Sequence, residues 1–176
     1  MGHHILGFVA RLEPLREVAT HRNWVVVPLT QGFGFLPVTK QIVGSDSSPL
    51  FNEFERLTAP LNEWAVEVSL QFPLAYIETE YFGGVGAQSA VNWESGRIVY
   101  GPVVSKSDWV DGRLVSVPLP VSAINQAVRL IGVVRGEDLD EFAALGLDRH
   151  RSNEYWLCSN VNGSVGIRNQ PGTSEA

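Results

Sequence analysis

Two glycine-bearing reversals between short β-prone runs constrain this chain more than any other feature. The first, Gly83-Gly84-Val85-Gly86, follows the run from Leu74 to Phe82; the second, Ser95-Gly96, separates Val91-Asn92-Trp93 from Ile98-Val99-Tyr100. A tight reversal between twisted strands needs positive φ, which glycine adopts without a Cβ penalty. Three runs joined by two such turns predict an antiparallel meander of three strands. Within the first run, period-2 geometry sends Tyr76, Glu78, Glu80 and Phe82 to one face and Ala75, Ile77, Thr79 and Tyr81 to the other. Two carboxylates therefore share a face.

The segments around the meander supply helices and further strands. Ile5-Leu6-Gly7-Phe8-Val9-Ala10 reads as a buried strand, Pro14 opens a helix to about Thr20, and Trp24 to Leu29 is a second strand. Gln31-Gly32-Phe33-Gly34-Phe35-Leu36 alternates glycine with aromatics and reads as a loop, bent over the core in preference to forming an exposed aromatic lip. Gly44 to Ser48 is a turn. Ser48 then caps, and Pro49 opens, an amphipathic helix over 49–70 with Leu50, Phe51, Phe54, Leu57, Leu61, Trp64, Ala65 and Val68 inward, either continuous or kinked at Pro60.

Lys106 to Pro120 is an irregular excursion or an edge hairpin. A helix over 122–135 carries Ile124, Ala127, Val128, Ile131 and Val134, and a shorter one is capped by Asp138, turns Leu139, Phe142 and Ala143 inward and ends at Gly146. Tyr155 to Cys158 is a last helical turn or short strand. Helices interspersed with an antiparallel meander define an α+β fold, its sheet packed against two or more amphipathic helices. One domain over 1–168 is expected, with 169–176, which holds no large apolar side chain, as a flexible tail.

Composition narrows the function classes. With 44% hydrophobic residues the 176-residue chain can fill one core. Thirteen Lys and Arg against nineteen Asp and Glu leave a formal charge of −6, which argues against nucleic-acid binding and suits a basic partner. Cys158 is the single cysteine, so neither an intramolecular disulfide nor a cysteine zinc site can form. The absence of a secretory leader pattern and of about 18 consecutive apolar residues points to a cytoplasmic protein without membrane association.

No motif fixes a reaction. Glu78 and Glu80, about 7 Å apart along a strand, could divide acid and base roles or bind a divalent cation, or could simply form a solvated face. Gly83-Gly84-Val85-Gly86 lacks the Gly-Lys-Ser/Thr ending of a phosphate loop and precedes a strand instead of a helix. His3 and His4, adjacent in a strand, point to opposite faces, a poor arrangement for a shared metal. Arg149-His150-Arg151 with Glu154 reads as a charge cluster, with an anion site as the alternative. No Gly-x-Ser-x-Gly elbow is present, and Cys158 beside Trp156 and Leu157 reads as a buried, inert thiol. No catalytic residue, metal or cofactor is assigned.

Surface complementarity is the competing chemistry. Tyr81, Phe82, Trp93, Trp109 and Tyr155 are the aromatic candidates, and Trp109, flanked by Asp108 and Asp111 in a loop-like setting, would give an acidic loop with an aromatic anchor. The candidate binding set is Glu78, Glu80, Tyr81, Phe82, Asp108, Trp109 and Asp111.

The stretch from Tyr76 to Gln88 with Ala90, Trp93 and Gly96, together with Glu141-Phe142-Ala143-Ala144-Leu145-Gly146-Leu147 and Arg149-His150-Arg151, resembles small bacterial proteins akin to the immunity proteins that protect a cell from secreted toxins. The resemblance covers about a third of the chain and carries over no functional residue. It implies a cytosolic, non-enzymatic neutraliser whose partner is a basic toxin domain, acting as monomer or homodimer. The alternative is a small-molecule-binding protein or hydrolase using Glu78 and Glu80. A concave, partly desolvated setting for those carboxylates would favour a pocket, and an open convex face would not. Self-association through an exposed sheet edge is a third possibility.

Overall fold

The computed structural model describes residues 2–43, 49–52, 54–82, 85–117 and 122–163. Seven strands form one antiparallel sheet: β1 (His3–Arg11), β2 (Val27–Pro28), β3 (Phe33–Pro37), β4 (Leu74–Phe82), β5 (Val85–Glu94), β6 (Arg97–Val110) and β7 (Arg113–Val117), in the spatial order β2-β3-β1-β4-β5-β6-β7. The helices are α1 (Leu12–Thr20), α2 (Lys40–Val43), α3 (Ala59–Val68), α4 (Ala123–Leu130), α5 (Glu141–Leu145) and α6 (Asn153–Gly163). The α+β fold and the β4-β5-β6 meander are as the sequence predicts.

Turn chemistry sets the meander's register. Ser95 and Gly96 both have positive φ, 53° and 75°, the twist that lets Glu94 pair with Arg97. Asp111 and Gly112 repeat the device at 50° and 74°, so 97–117 is an edge hairpin, and Trp109 lies in strand β6 and not in a loop. At the β4–β5 turn, pairing runs out to Phe82 and Val85, while Gly83 and Gly84 lie outside the described residues.

Both faces of the inner strands are covered. Ile5, Val9, Phe35, Ala75, Ile77 and Ala90 pack with Ile124, Ala127 and Val128 of α4, Leu145 of α5 and Trp156 of α6. Phe8, Leu36, Tyr76, Val91 and Trp93 pack on the opposite face with Leu15 and Ala19 of α1 and Leu61, Trp64, Ala65 and Val68 of α3. The glycine and aromatic run forms strand β3 where the sequence predicts a loop. Its side chains are core, and a Cβ on Gly34 would lie only 2.7 Å from Val26 Cγ1 and 2.9 Å from Leu12 Cδ1.

Several helix boundaries differ from expectation. The 49–70 helix is reduced to α3, because Pro60 belongs in a first turn: inside a continuous helix its ring would strike the carbonyl four residues back. Upstream of it the chain forms an irregular strap, with Phe54 and Leu57 set into the core. The Gly44–Ser48 turn and the Ser48 cap lie outside the described residues. Helix α4 stops at Leu130, and Gly132 with φ 98° turns the chain, leaving Val133 buried and Val134 exposed. Asp140, not Asp138, caps α5 through its Oδ1, which accepts from Ala143 N at 2.9 Å; Leu139 then precedes the helix and is 87% exposed. Gly146, at φ 72°, ends α5 as expected.

In α6 the side chain of Trp156 turns inward, and Cys158, about 200° further round the helix, is exposed instead of buried. The proposed tail, 169–176, lies outside the described residues.

Asn153 closes the sheet beyond the end of β3. Its Oδ1 accepts from Leu6 N at 3.0 Å, and its Nδ2 donates to Leu6 O at 2.7 Å and Val38 O at 2.8 Å. A buried amide thereby accepts from the Leu6 N–H and adds a second donor to Leu6 O, which also accepts from Val38 N at 2.9 Å.

Candidate functional site

Strand register brings a set of polar residues onto the face that carries α1 and α3, beyond the helices themselves. Glu80 pairs with His4 on one side and Ala87 on the other, and Ala87 with Lys106. One row inward, Glu78 lies between Leu6 and Ser89, and Ser89 opposite Val104. Ala87 and Ser89 are small, so β5 forms a low floor between the taller side chains of β4 and β6. The strap upstream of α3 supplies the remaining wall through Asn52, Phe54 and Glu55.

Two cavities open there. One, of about 240 Å³, is lined by Glu55, Glu78 and Glu80 on one bank and Lys106 on the other. The second, of about 270 Å³, is bounded by Asn52, Phe54 and Pro102. Ser89 and Val104 line both, making one trough with a charged end and an apolar end.

The two glutamates occupy a concave setting but are not equivalent. Glu78 is only 7% exposed; its Oε2 accepts from Glu55 N at 2.7 Å, and its Oε1 from Arg56 N at 2.9 Å and Tyr76 Oη at 2.8 Å. Burial pushes its carboxyl above the usual glutamate value, against the pull of these three donors. Burial and the adjacent Glu78 also push the Tyr76 hydroxyl well above its ordinary value. Glu78 thus anchors the strap to β4, leaving Glu80, which is exposed, as the open carboxylate of the pair.

The other charged groups divide similarly. Glu55 pairs with His4 Nε2 at 2.7 Å and with Arg56 Nε at 3.6 Å. Among the described residues, Glu80 and Lys106 make neither an ion pair nor a side-chain hydrogen bond.

The aromatic candidates are spread over the far end of the sheet. Phe82, on the face of Glu78 and Glu80, is 74% exposed. Tyr81 points to the opposite face; there it pairs with Gly86, and Gly86 with Ser107, so that Trp109, two residues further along β6 and 56% exposed, falls on the face of Tyr81. Asp108 pairs through its backbone with Val115, and Asp111 lies in the β6–β7 turn. Trp93, a candidate for exposure, is instead fully buried and donates from Nε1 to Asn62 Oδ1 at 3.2 Å. Tyr155 is exposed.

The histidine pair splits as expected. His3 Nδ1 lies 2.8 Å from Thr79 Oγ1 on the α4 face, and burial holds its pKa below 6.5, whereas His4 turns to Glu55. The basic island wraps an indole: the Arg149 guanidinium lies 5.2 Å above the Trp156 ring, and the His150 ring meets it edge-on at 4.7 Å. Its own backbone N–H and the Ser152 hydroxyl hold the Glu154 carboxyl below its ordinary range. Among the described residues no group of three or more His, Cys, Asp or Glu is placed to hold a metal, and no helix is long and apolar enough to cross a membrane.

Ser89, Lys106, Asn52 and Phe54 were not legible as site residues. Alternation alone could have put Ser89 and Lys106 on defined faces, but only the strand register sets them beside Glu80. No family model matches the chain, and neither curated proteins nor solved structures give a match.

Proposed function

We propose that this protein is a non-enzymatic binding module that neutralises a basic toxin domain by covering part of its surface. The observation that carries this reading is the far end of the sheet, where the β4–β5 hairpin presents Phe82 from one face and the β6–β7 hairpin presents Trp109 from the other, with Val110 beside it, as exposed large apolar side chains on a chain of net charge −6. Large aromatics on a rigid sheet, with Asp111 at the adjacent turn, are the elements from which interface anchors and a steering acidic rim are built. Glu78, although set in a concave and desolvated site, already accepts three hydrogen bonds and fixes the strap, which leaves it no role as half of a catalytic pair.

The test is a capture experiment from an extract of the producing organism, using the wild type and a Phe82→Ala/Trp109→Ala variant. The expected result is a basic polypeptide retained by the wild type alone, which stops growth when expressed by itself and is relieved by co-expressing the wild type but not the variant. Equal protection by the variant would exclude the hairpin surface as the contact. Retention of no growth-inhibiting polypeptide would exclude the neutraliser.

A further inference from the structure

The trough between the strap and β4–β6 carries chemistry that the protein-binding reading does not use. Its charged end holds one carboxylate and one ammonium without partners among the described residues, Glu80 and Lys106. They belong to strands two apart, so their Cα atoms are separated by roughly 10 Å across Ala87. Opposite charges held apart over a low floor leave room for a group that presents an ammonium to one bank and a carboxylate to the other. Glu55 and Glu78 do not compete for this role, because His4, Arg56, Tyr76 and two backbone amides already engage them.

The rest of the trough defines what such a group is attached to. Ser89, 8% exposed, lies midway along it, and its hydroxyl has no hydrogen-bond partner among the described residues. That hydroxyl faces the trough, where a ligand's polar atom can take the place of water on it. Beyond Ser89 the lining becomes apolar, with Val104, Pro102 and the buried ring of Phe54. Cavities of about 240 and 270 Å³ lie below the usual range for drug-sized ligands and restrict the occupant to a small molecule.

We infer that this trough binds a free α-amino acid with an apolar side chain. The ammonium lies against Glu80, the carboxylate against Lys106 with Ser89 within reach, and the side chain runs along β5 toward Phe54. This site is independent of the hairpin surface: Phe82→Ala and Trp109→Ala leave it intact.

The test is amide chemical-shift titration of the full chain with L-leucine, L-methionine and L-phenylalanine, alongside the N-acetyl derivative and the primary amide of each. At least one free amino acid is expected to shift the amides of Ala87, Ser89 and Val104, and removing either its ammonium or its carboxylate to weaken binding at least tenfold. Glu80→Gln and Lys106→Gln, both exposed and unpaired among the described residues, are expected to keep the wild-type Tm and each to weaken binding by a similar factor. If the amides bind as tightly as the free acids, Lys106 has no partner in the ligand and the assignment falls. It falls equally if no amino acid moves those resonances at millimolar concentration, or if both variants bind like the wild type.

Discussion

Removing the Glu78 carboxylate tests whether a buried acid holds the wall of the trough in place. Glu78→Ala strands three donors. Tyr76 Oη is fully buried and loses its acceptor, at about 1–3 kcal/mol, whereas the amides of Glu55 and Arg56 sit on the outer strap where water can replace the lost bond, at about 0.5–1.5 kcal/mol each. Part of this is offset because the variant no longer desolvates a carboxylate. The net expectation is a loss of about 2–4 kcal/mol, a Tm drop on the order of 5–15 °C for a chain of this size.

Urea unfolding at fixed pH measures the loss, and a cycle with Tyr76→Phe isolates the buried hydroxyl. In the Tyr76→Phe background, Glu78→Ala has one orphan fewer and should cost about 1–2 kcal/mol less. The pH dependence has a definite sign. Because Glu78 is raised above its ordinary value in the folded state, its contribution is fully present below the unfolded pKa and is lost as pH rises through the folded one. Glu78→Ala should therefore cost more near pH 4 than near pH 8. A loss below about 1 kcal/mol, or additivity in the cycle, would refute the anchor.

Gly7→Ala should be among the most damaging substitutions, since its Cβ would lie 2.3 Å from Leu36 O and 2.5 Å from Phe35 Cε2 in the middle of the sheet; a loss of roughly 2–4 kcal/mol in urea is expected, and a near-neutral result would contradict the β1–β3 register. His3 is held below 6.5 by burial, so the stability it contributes is present above pH 6.5 and lost as pH falls through its folded value; His3→Phe should flatten that acid-side slope in thermal melts between pH 7 and 5. Cys158, exposed on α6, should react with a thiol reagent within minutes without denaturant, and Cys158→Ser should leave Tm unchanged.

Local signals carried the parts of the fold that local physics determines. Positive-φ turn residues located the Ser95-Gly96 reversal, alternation placed Glu78 and Glu80 on one face, and Gly146 ended α5. What failed depended on partners distant in sequence. Phe33 and Phe35 are strand residues because β1 offers them an antiparallel edge, and Trp93 is core because Phe8 and its neighbours enclose it. Apolar spacing over 50–57 mimicked a helix, although Phe54 and Leu57 reach the core from an irregular strap. The same limit applied to the trough: Glu78 was visible as a carboxylate on a strand face, but its burial comes from a segment more than 20 residues upstream, and Lys106 meets Glu80 only across β5.

The amide plug at Asn153 has a consequence for the order in which this chain can become native. Strand β1 is made early, yet its pairing with β4 waits for residues 75–81, and the N–H of Leu6 waits for a side chain 147 positions later. During synthesis the β1–β4 pair therefore forms only once residues up to 81 have emerged, and the Leu6 N–H stays open until nearly all the described chain is made. Such long-range closure predicts slow, late-committing folding, with the nascent β1 edge the segment most in need of protection from self-association. A truncation before residue 153 would leave the Leu6 N–H without this acceptor for good.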